Sequence, residues 1–332
     1  MLLFLECKIR ADMRLQQSKL RIQEGGIGMA RILNFGSLNI DDVYHLDHFV
    51  RPGETITSWD NLCMVGGKGL NQSIALARAG TPVYHAGKIG QDGKKLSQIL
   101  EENGVDIGYL DTNGSVTGHA IIQVEKSGNN CIILYAGANR EIIKEDIKAV
   151  LDDFSEGDFL LLQNEVSNLP YLIEYAADRG ITIFLNPSPM DDTILQCDLS
   201  KVAWLILNEV EGEELTGSRD AEEILQKLLV KYPKQKLVLT LGAKGAIYRD
   251  NKACIRQKSY PVNAVDTTAA GDAFTGYLIS GIFTGEKLET ALDLAARAAA
   301  ITVTKAGASN SIPWMSQVMS YNFSNPLQEN YT

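Results

Sequence analysis

The sequence predicts an α/β protein in which a mostly parallel central β-sheet is covered by helices on both faces and accompanied by a small second sheet. From about residue 159 onward, short apolar runs alternate with stretches of helical periodicity, the pattern of a parallel sheet with covering helices. Two stretches, at about 42–65 and 118–135, have strand-like patterning and turns but little helical periodicity. We therefore expect them to form a separate sheet, which we interpret as a lid.

The predicted elements follow one another in a consistent order. The apolar run over 31–36 ends in Gly36 and predicts a first buried strand. Small and apolar residues recur with helical spacing over 69–79, and Gly80 is expected to end that helix. By the same criteria the remaining strands are predicted at 83–89, 159–162, 181–185, 204–207, 237–241, 246–249 and 254–257, and the remaining helices at 94–103, 169–179, 220–231, 271–282 and 288–303.

Composition and charge restrict the possible partners. The chain of 332 residues has 41 acidic and 31 basic residues and a net charge of −10, which argues against nucleic acid or an anionic membrane as the main partner. No apolar run approaches the ~18 residues needed to span a bilayer. The five cysteines are scattered without metal-binding spacing, so we expect reduced thiols and a cytoplasmic location.

The chain is predicted to form one domain over 29–320, preceded by an extension and followed by a tail at 321–332. Residues 1–28 are charged and glutamine-rich, and they end immediately before Met29 and the first predicted strand. We interpret this extension as non-native or disordered, with the native start at Met29. The alternative is a genuine N-terminal helix.

The most informative segment is 265–272, with the sequence Val-Asp-Thr-Thr-Ala-Ala-Gly-Asp, which precedes a predicted helix. The small residues Ala269, Ala270 and Gly271 let a ligand approach the backbone, and the free N–H groups at a helix start attract phosphate. A carboxylate at Asp272 would repel phosphate, which suggests that it serves as the base for a hydroxyl attacking that phosphate. The alternative is an aspartate that only stabilises the first helical turn.

Two segments nearer the N-terminus could bind a polyhydroxyl ligand. Residues 66–71, Gly-Gly-Lys-Gly-Leu-Asn, lie between a predicted strand and a helix, and their spacing is not that of a Walker A loop. The glycines leave room for a ligand, and Lys68 and Asn71 supply hydrogen-bond donors. Asn39-Ile-Asp41 follows the first strand, at the end of the sheet where ligands bind in open α/β proteins. Either segment alone could simply be a turn.

Three further polar segments, at 163–165, 208–211 and 240–245, each follow a predicted strand. Because the carboxyl ends of parallel strands meet at one edge of a sheet, all of the polar segments are expected to lie close together. Their convergence, more than any single motif, indicates one ligand-binding site.

These segments, in this order, resemble the PfkB family of carbohydrate kinases, and its ribokinase members most closely. The two signatures of that family match residues 66–90 and 266–276, and the resemblance extends over about 31–314. It implies the ribokinase-like fold, a three-layer α/β/α domain with a small β-sheet lid. The sequence departs from the family at Tyr277, where Ala or Gly is usual, and at Ala296, where ribokinases usually have a histidine near the adenine.

The resemblance implies transfer of the γ-phosphate of ATP to the primary hydroxyl of a sugar, with Asp272 as the base. The amides of Ala269, Ala270 and Gly271 would form the anion hole for the charge that develops on the phosphate. The residues implied to hold the sugar are Asn39, Asp41, Gly67, Lys68, Asn71 and Glu165. Those implied to contact ATP are Asn208, Thr240, Gly242, Lys244, Gly245 and Gly271.

The resemblance also implies two metal ions and a homodimer. Glu211 would organise Mg²⁺ through water, while the phosphates would hold the ion itself. A potassium site beside the anion hole would activate the enzyme, and the residues implied for it are Asp266, Thr268, Thr302, Lys305, Gly307 and Ser311, several through backbone carbonyls. In ribokinases two lids pair, and we expect a homodimer here because an exposed lid sheet has edges that favour pairing.

We expect ribose as the substrate, with ribose 5-phosphate as the product, because Asn39, Asp41, Gly67, Lys68 and Glu165 together favour it. Other substrates of the family, such as fructose, 2-keto-3-deoxygluconate or a nucleoside, share parts of this set and stay open. The alternative from a different class is an inactive homologue that binds sugar as a regulator. The intact 266–272 segment argues against that alternative.

Overall fold

The computed structural model describes residues 30–127 and 129–323, so the predicted extension at 1–28 and the tail beyond 323 lie outside the described residues. The strands are β1 Ile32–Phe35, β2 Asn39–Leu46, β3 Asp60–Gly66, β4 Val83–Gly90, β5 Asp106–Gly114, β6 Gly118–Glu125, β7 Asn130–Tyr135, β8 Phe159–Gln163, β9 Thr182–Asn186, β10 Trp204–Asn208, β11 Lys236–Thr240, β12 Ala246–Arg249 and β13 Cys254–Gln257. The helices are α1 Lys68–Arg78, α2 Lys94–Glu102, α3 Lys144–Leu151, α4 Leu169–Asp178, α5 Asp192–Leu195, α6 Glu209–Thr216, α7 Ala221–Lys231, α8 Ala270–Phe283, α9 Leu288–Thr302 and α10 Met315–Ser320. Within the described ranges, none of these helices has the length and apolar character that a membrane crossing requires.

The larger sheet, as far as the chain is described, has nine strands in the order β13-β12-β11-β10-β9-β8-β1-β4-β5. The pairings from β11 to β5 are parallel, and the β11–β12 and β12–β13 pairings are antiparallel. Successive side chains of a strand point to opposite faces, so Ile32 packs in the core on one face while Leu33 and Phe35 pack in the core on the other. Helices α1, α2, α8, α9 and α10 contribute to the first core and α3 to α7 to the second, which confirms the predicted three-layer fold.

The smaller sheet has the strand order β3-β2-β6-β7, in which β2 pairs antiparallel with β3 and parallel with β6. These strands come from the two stretches predicted to form a separate sheet, so that prediction is confirmed. The side chain of Asn139 fixes the point where the chain enters this sheet from β1. Its Oδ1 accepts from the Leu38 N–H at 3.0 Å, and its Nδ2 donates to Asn39 Oδ1 at 2.9 Å.

Several parts of the fold differ from the sequence-based expectation. Strand β5 was not expected, because Asp, Gly and Asn residues weaken its strand pattern and it lies at the sheet edge with irregular pairing to β4. Helices α3, α5, α6 and α10, which have only 8, 4, 8 and 6 residues, were not expected either. Asn39-Ile-Asp41 is the start of β2 rather than a turn, so its two polar side chains point from a regular strand of the small sheet.

Candidate active site

The polar segments predicted to converge do meet at the carboxyl end of the central sheet. A cavity of about 170 Å³ lies there, lined by Lys68, Asn186, Ser188, Ile206, Leu207, Asn208, Glu211, Thr240, Ala269, Gly271, Asp272 and Thr275. A larger cleft of about 540 Å³ shares Thr240 and Gly271 with it. Residues from distant parts of the chain therefore line one continuous depression.

Asp272 lies in the first turn of α8 with 9% of its surface exposed, and it lines the cavity. Its Oδ2 accepts from Asn71 Nδ2 and its Oδ1 from Gln72 Nε2, both at 2.9 Å. These donors belong to α1, which packs so closely on α8 that an added Cβ at Gly276 would lie 2.4 Å from the Cβ of Ala75. The glycine at 276 thus lets the two family-like signatures meet around one carboxylate. Gln72 was not singled out from the sequence.

The start of α8, where the anion hole was predicted, is open to the cavity beside Asp272. Ala269 has a φ of 61°, a left-handed conformation that is rare for a residue with a side chain and that turns the chain sharply into the helix. Gly271 is exposed, and an added Cβ there would meet no atom within 4 Å. Of the three predicted anion-hole amides, that of Ala270 donates to the Thr267 carbonyl at 3.3 Å. The helix dipole adds positive potential at this end.

Lys68 and Glu165 form a charged cluster near Asp272, and Lys68 lines the same cavity as Asp272. Glu165 accepts hydrogen bonds from the Ser37 hydroxyl and, at 3.0 Å, from the Lys68 N–H, and its Oε1 lies 4.0 Å from Lys68 Nζ. Burial alone would lower the pKa of Lys68, but the carboxylates of Asp272, Glu165 and Glu211 outweigh burial and raise it. The ammonium group therefore stays charged among three carboxylates.

Asp41 is half-buried at the start of β2, and its surroundings oppose its ionisation. Burial, followed by the charges of Glu165 and Asp42, raises the pKa of Asp41 to about 6. An added Cβ at Gly66 would lie 2.1 Å from Asp41 Oδ2, so this glycine makes room for the carboxylate. The neighbouring Gly67 has a φ of 95°, which favours glycine where the chain turns into α1.

Some predicted site residues have side chains already bonded to other protein groups. Asn39 Oδ1 accepts from Asn139, as described above. Asn208 caps α6, where its Oδ1 accepts from the Glu211 N–H at 2.9 Å and its Nδ2 donates to Glu211 Oε1 at 2.9 Å. Glu211 is buried, and burial raises its pKa. The described chain contains no group of three or more His, Cys, Asp or Glu side chains arranged to hold a metal ion.

The larger cleft is mainly apolar and contains most of the residues implied to contact ATP. Its lining includes Thr240, Gly242, Gly245, Gly271, Val262, Phe274, Ala296, Ala299, Ala300 and Val303. Gly245 has a φ of 98°, and an added Cβ would lie 2.0 Å from the Gln257 carbonyl oxygen, so the loop after β11 requires glycine there. Lys244 differs from the others because its side chain is 76% exposed and lies 3.5 Å from Glu209.

The residues implied for a potassium site come from two segments that the fold brings into contact. The Gly307 N–H donates to Asp266 Oδ2 at 2.9 Å, and the Thr268 N–H donates to Asp266 Oδ1 at 2.9 Å. Burial alone would raise the pKa of Asp266, but these hydrogen bonds outweigh burial and lower it.

Tyr277 donates from its hydroxyl to the Pro313 carbonyl at 2.8 Å. Tyr277, which stands where the family usually has Ala or Gly, thus holds the loop that follows α9 against α8.

The hydroxyl groups of Thr302 and Ser311 are engaged elsewhere. Thr302 donates to the Ala298 carbonyl at 2.8 Å and Ser311 to the Ala308 carbonyl at 2.7 Å, and both residues are buried. Lys305 donates from its backbone N–H to the Thr302 carbonyl at 3.3 Å.

Comparison with known proteins agrees with this geometry. Residues 29–315 match the model of the pfkB family carbohydrate kinases. Ribokinase from Haemophilus influenzae is 35% identical over 297 residues, which cover 86% of this chain and 96% of that protein. The structure of ribokinase from Cryptococcus neoformans var. grubii in complex with ADP has a TM-score of 0.76 at 33% identity, covering 88% of this chain and 98% of that one. The structure of Arabidopsis thaliana ribokinase complexed with ribose and ATP has a TM-score of 0.78 at 27% identity, covering 88% and 99%. The chain belongs to the PfkB family of carbohydrate kinases, and it is a phosphotransferase that acts on an alcohol group.

Proposed function

We propose that the protein phosphorylates ribose, or a closely related small sugar, at its primary hydroxyl with ATP as the phosphate donor. The observation that carries the proposal is that Asp272 lines one cavity together with a helix start that suits phosphate and with Lys68, which forms a charged cluster with Glu165 and Asp41 that suits sugar hydroxyls. Such a cluster can both donate to and accept from a polyhydroxyl ligand. The likeness to ribokinases, including one complexed with ribose and ATP, favours the same ligands here.

In this reaction Asp272 removes the proton from the sugar hydroxyl as its oxygen attacks the γ-phosphorus. A new bond forms between the sugar oxygen and phosphorus, the bond from phosphorus to the bridging oxygen breaks, and ADP leaves with that oxygen. The N–H groups at 269–271 stabilise the charge on the transferred phosphoryl oxygens. Asn71 and Gln72 hold the carboxylate through its two oxygens.

The residues near Glu211 fit a magnesium ion bound through water. Glu211 lines the cavity beside Asp272, and Asn208 fixes its orientation. Because burial raises the pKa of Glu211, a nearby divalent cation would favour its charged form. When bound with the nucleotide, Mg²⁺ would neutralise phosphate charge, and Glu211 would hold its water.

A monovalent cation is expected to activate the enzyme. The ionised Asp266 and the backbone at 302–311 lie directly behind the start of α8, so a cation bound there would add positive potential to the anion-binding position. We expect higher kcat in K⁺ than in a buffer with an organic cation of equal ionic strength. Equal rates in the two buffers would contradict activation by a monovalent cation.

The smaller sheet has one face that is mainly apolar apart from Asp41 and partly exposed, which suits a homodimer. Direct cross-strand pairing places Asp41, Ala120 and Leu134 on the same face, together with Ile132. The other members of this face are Val43, Leu62, Met64, Ile122 and Val124, whereas the opposite face mixes the apolar residues Ile121, Ile133 and Tyr135 with Asp42, Asn61, His119 and Gln123. Ile132 and Leu134 are 55% and 53% exposed. An exposed apolar face of this kind marks a protein interface, and we assign it to a second copy of this chain.

Ile132→Lys is expected to yield a monomer, because it places a charge on the most exposed part of that apolar face. Ile133→Lys provides a matched control, since Ile133 is 58% exposed, neighbours Ile132 and points to the opposite face. Light scattering after size exclusion measures the mass of each variant. A wild-type monomer, or a dimer that survives Ile132→Lys, would contradict the assignment.

A cytoplasmic location fits this function. Cys63, Cys131, Cys197 and Cys254 are all free thiols within the described residues. Thiols of this kind persist in a reducing compartment.

ADP release measured across a panel of sugars tests the proposed function. We expect the highest kcat/KM with ribose, and a clearly higher value with fructose, 2-keto-3-deoxygluconate or a nucleoside would assign the protein to that substrate instead. The panel also separates a kinase from a regulatory homologue. Tight sugar binding without turnover for any sugar would exclude the kinase.

A further inference from the structure

Buried polar side chains form a continuous chain that leads from Asp272 into the interior, away from the cavity. We call the set Gln72, Gln163, Asn34, Ser73 and His85 the buried polar chain. All five side chains are completely buried, and they come from α1, β8, β1 and β4. Burying polar groups costs stability unless they are hydrogen-bonded. Their concentration behind the catalytic carboxylate therefore calls for a functional explanation.

Each member of the buried polar chain is bonded to the next. Gln72 Nε2 donates to Asp272 Oδ1 at 2.9 Å, and Gln163 Nε2 donates to Gln72 Oε1 at 2.7 Å. Gln163 Nε2 also donates to Asn34 Oδ1 at 2.9 Å. Asn34 Nδ2 donates to Ser73 Oγ at 2.8 Å, and Ser73 Oγ lies 2.8 Å from His85 Nδ1. The sequence of contacts is therefore unbroken from α8 to β4.

The bonds have one consistent direction. Asn34 Nδ2 also donates to the Gly69 carbonyl at 2.7 Å, and because a carbonyl can only accept, this bond fixes which end of the Asn34 amide is the NH₂. Ser73 Oγ therefore accepts from Asn34, and Asn34 Oδ1 accepts from Gln163. A flipped Gln72 amide would place its oxygen against the Asp272 carboxylate and its NH₂ against the NH₂ of Gln163. The chain therefore allows Gln72 only as a donor to Asp272.

We propose that Gln72 is a positioning residue for Asp272 and that Gln163 holds Gln72 in the orientation this requires. The proposal rests on the proposed function, in which Asp272 is the base. With Asn71 on Oδ2 and Gln72 on Oδ1, the carboxylate keeps one rotamer while its remaining lone pairs stay available to a hydroxyl in the cavity. A displacement of about 1 Å at such a group can cost on the order of 10²-fold in rate.

Gln72→Met tests the role of the donor, because methionine has a similar length but neither the NH₂ nor the carbonyl. We expect kcat to fall about 10–100-fold while the KM values for sugar and ATP stay within about threefold. Gln163→Met, which does not touch Asp272, is expected to lower kcat by a smaller factor. Because both variants act through the same contact, the double variant should be no slower than Gln72→Met alone.

Gln235→Met is the matched control. Gln235 is also a buried glutamine, 1% exposed, and it donates to the Leu199 carbonyl. Gln235 lies just before β11, at the opposite edge of the sheet from the site. Its kcat should equal that of wild type. If Gln72→Met keeps kcat within about threefold, or if the double variant multiplies the two single effects, the positioning role is overturned.

A crystal structure of Gln72→Met separates this proposal from the proposed function. We expect Asp272 to leave its rotamer in that structure, and an unmoved carboxylate would overturn the positioning role even if the protein were no sugar kinase. Absence of wild-type turnover with any sugar would overturn only the proposed function. If Gln72→Met does not fold, the kinetics and the crystal structure are both measured on Gln163→Met instead. An unchanged kcat with an unmoved Asp272 in that variant would refute the proposal.

Discussion

Asp272→Asn is expected to lower kcat by ~10²–10⁴ or more, while the sugar binds within about tenfold of its wild-type affinity. The amide has nearly the same shape as the carboxylate but cannot take a proton from the sugar hydroxyl. Sugar binding should persist because Asp41, Lys68 and Glu165 are unchanged. ADP release gives kcat, and calorimetric titration with the sugar gives the affinity.

Asp250→Asn is a suitable control for the loss of a carboxylate. Asp250 accepts from the N–H groups of Lys252 and Ala253 in the hairpin between β12 and β13 and from the Tyr248 hydroxyl at 2.7 Å, at the end of the sheet away from the cavity. Its substitution should leave kcat unchanged. If Asp272→Asn loses stability but keeps its turnover, Asp272 is only the acidic residue of a helix start.

The position of the site could be predicted from the sequence because it depends on strand ends. Glu165, Asn208 and Thr240 each follow or end an apolar run that is long enough to be read as a buried strand. In a parallel sheet those ends lie at one edge, whatever the details of packing. The gathering of the polar segments around one cavity therefore required no knowledge of side-chain contacts.

The second donor to Asp272 could not be found in this way. Gln72 lies in a stretch of α1, residues 69–76, that is buried on every side, and a polar residue there has no periodic pattern to mark its role. Its partners Asp272 and Gln163 lie 200 and 91 residues further along the chain. Only the packing of α1 between β8 and α8 brings them together. The one available signal was the cluster of small residues in both helices, which permits close approach.

The roles of the residues at the proposed sugar site could also be predicted only in part from the sequence. The glycines at 66 and 67 suggested space for a ligand, whereas Gly66 makes space for Asp41 and Gly67 supplies the left-handed turn into α1. Both functions depend on β2 and β3 being antiparallel neighbours, with Asn39 opposite Gly66. That register is a tertiary feature, and the short segment Asn39-Ile-Asp41 gave too little pattern to predict it.

Asp41→Asn is expected to raise the KM for the sugar by about 10–100-fold, because it replaces a charged acceptor of sugar hydroxyls with a neutral amide. In the wild type, the pKa of Asp41 is raised to about 6, chiefly by burial. The wild-type KM should therefore rise as the pH falls through about 6, since protonated Asp41 is a poorer acceptor. The KM of Asp41→Asn should not change over this range, and steady-state kinetics from pH 5 to 8 measures both.

Asp42→Asn provides the matched control for this substitution. Asp42 is the next residue of β2 and, because side chains alternate along a strand, it points to the opposite face of the small sheet. Its replacement should change the KM little at pH 8, and the pH dependence should persist but move to slightly lower pH, because the Asp42 charge is the smallest of the three causes that raise the pKa of Asp41. A pH-dependent KM that persists in Asp41→Asn would show that another group controls sugar binding.

The same raised pKa makes an opposite prediction for stability without sugar. Because the folded state binds the Asp41 proton more tightly than the unfolded chain does, Asp41 favours folding at low pH. That advantage is lost as the pH rises from about 4, the pKa in the unfolded chain, through about 6. Asp41→Asn should therefore raise Tm more at pH 8 than at pH 5, and an equal gain at both would contradict the raised pKa. A residue whose removal stabilises the free protein while weakening sugar binding is retained for the ligand, which places Asp41 among the residues selected for recognition rather than for folding.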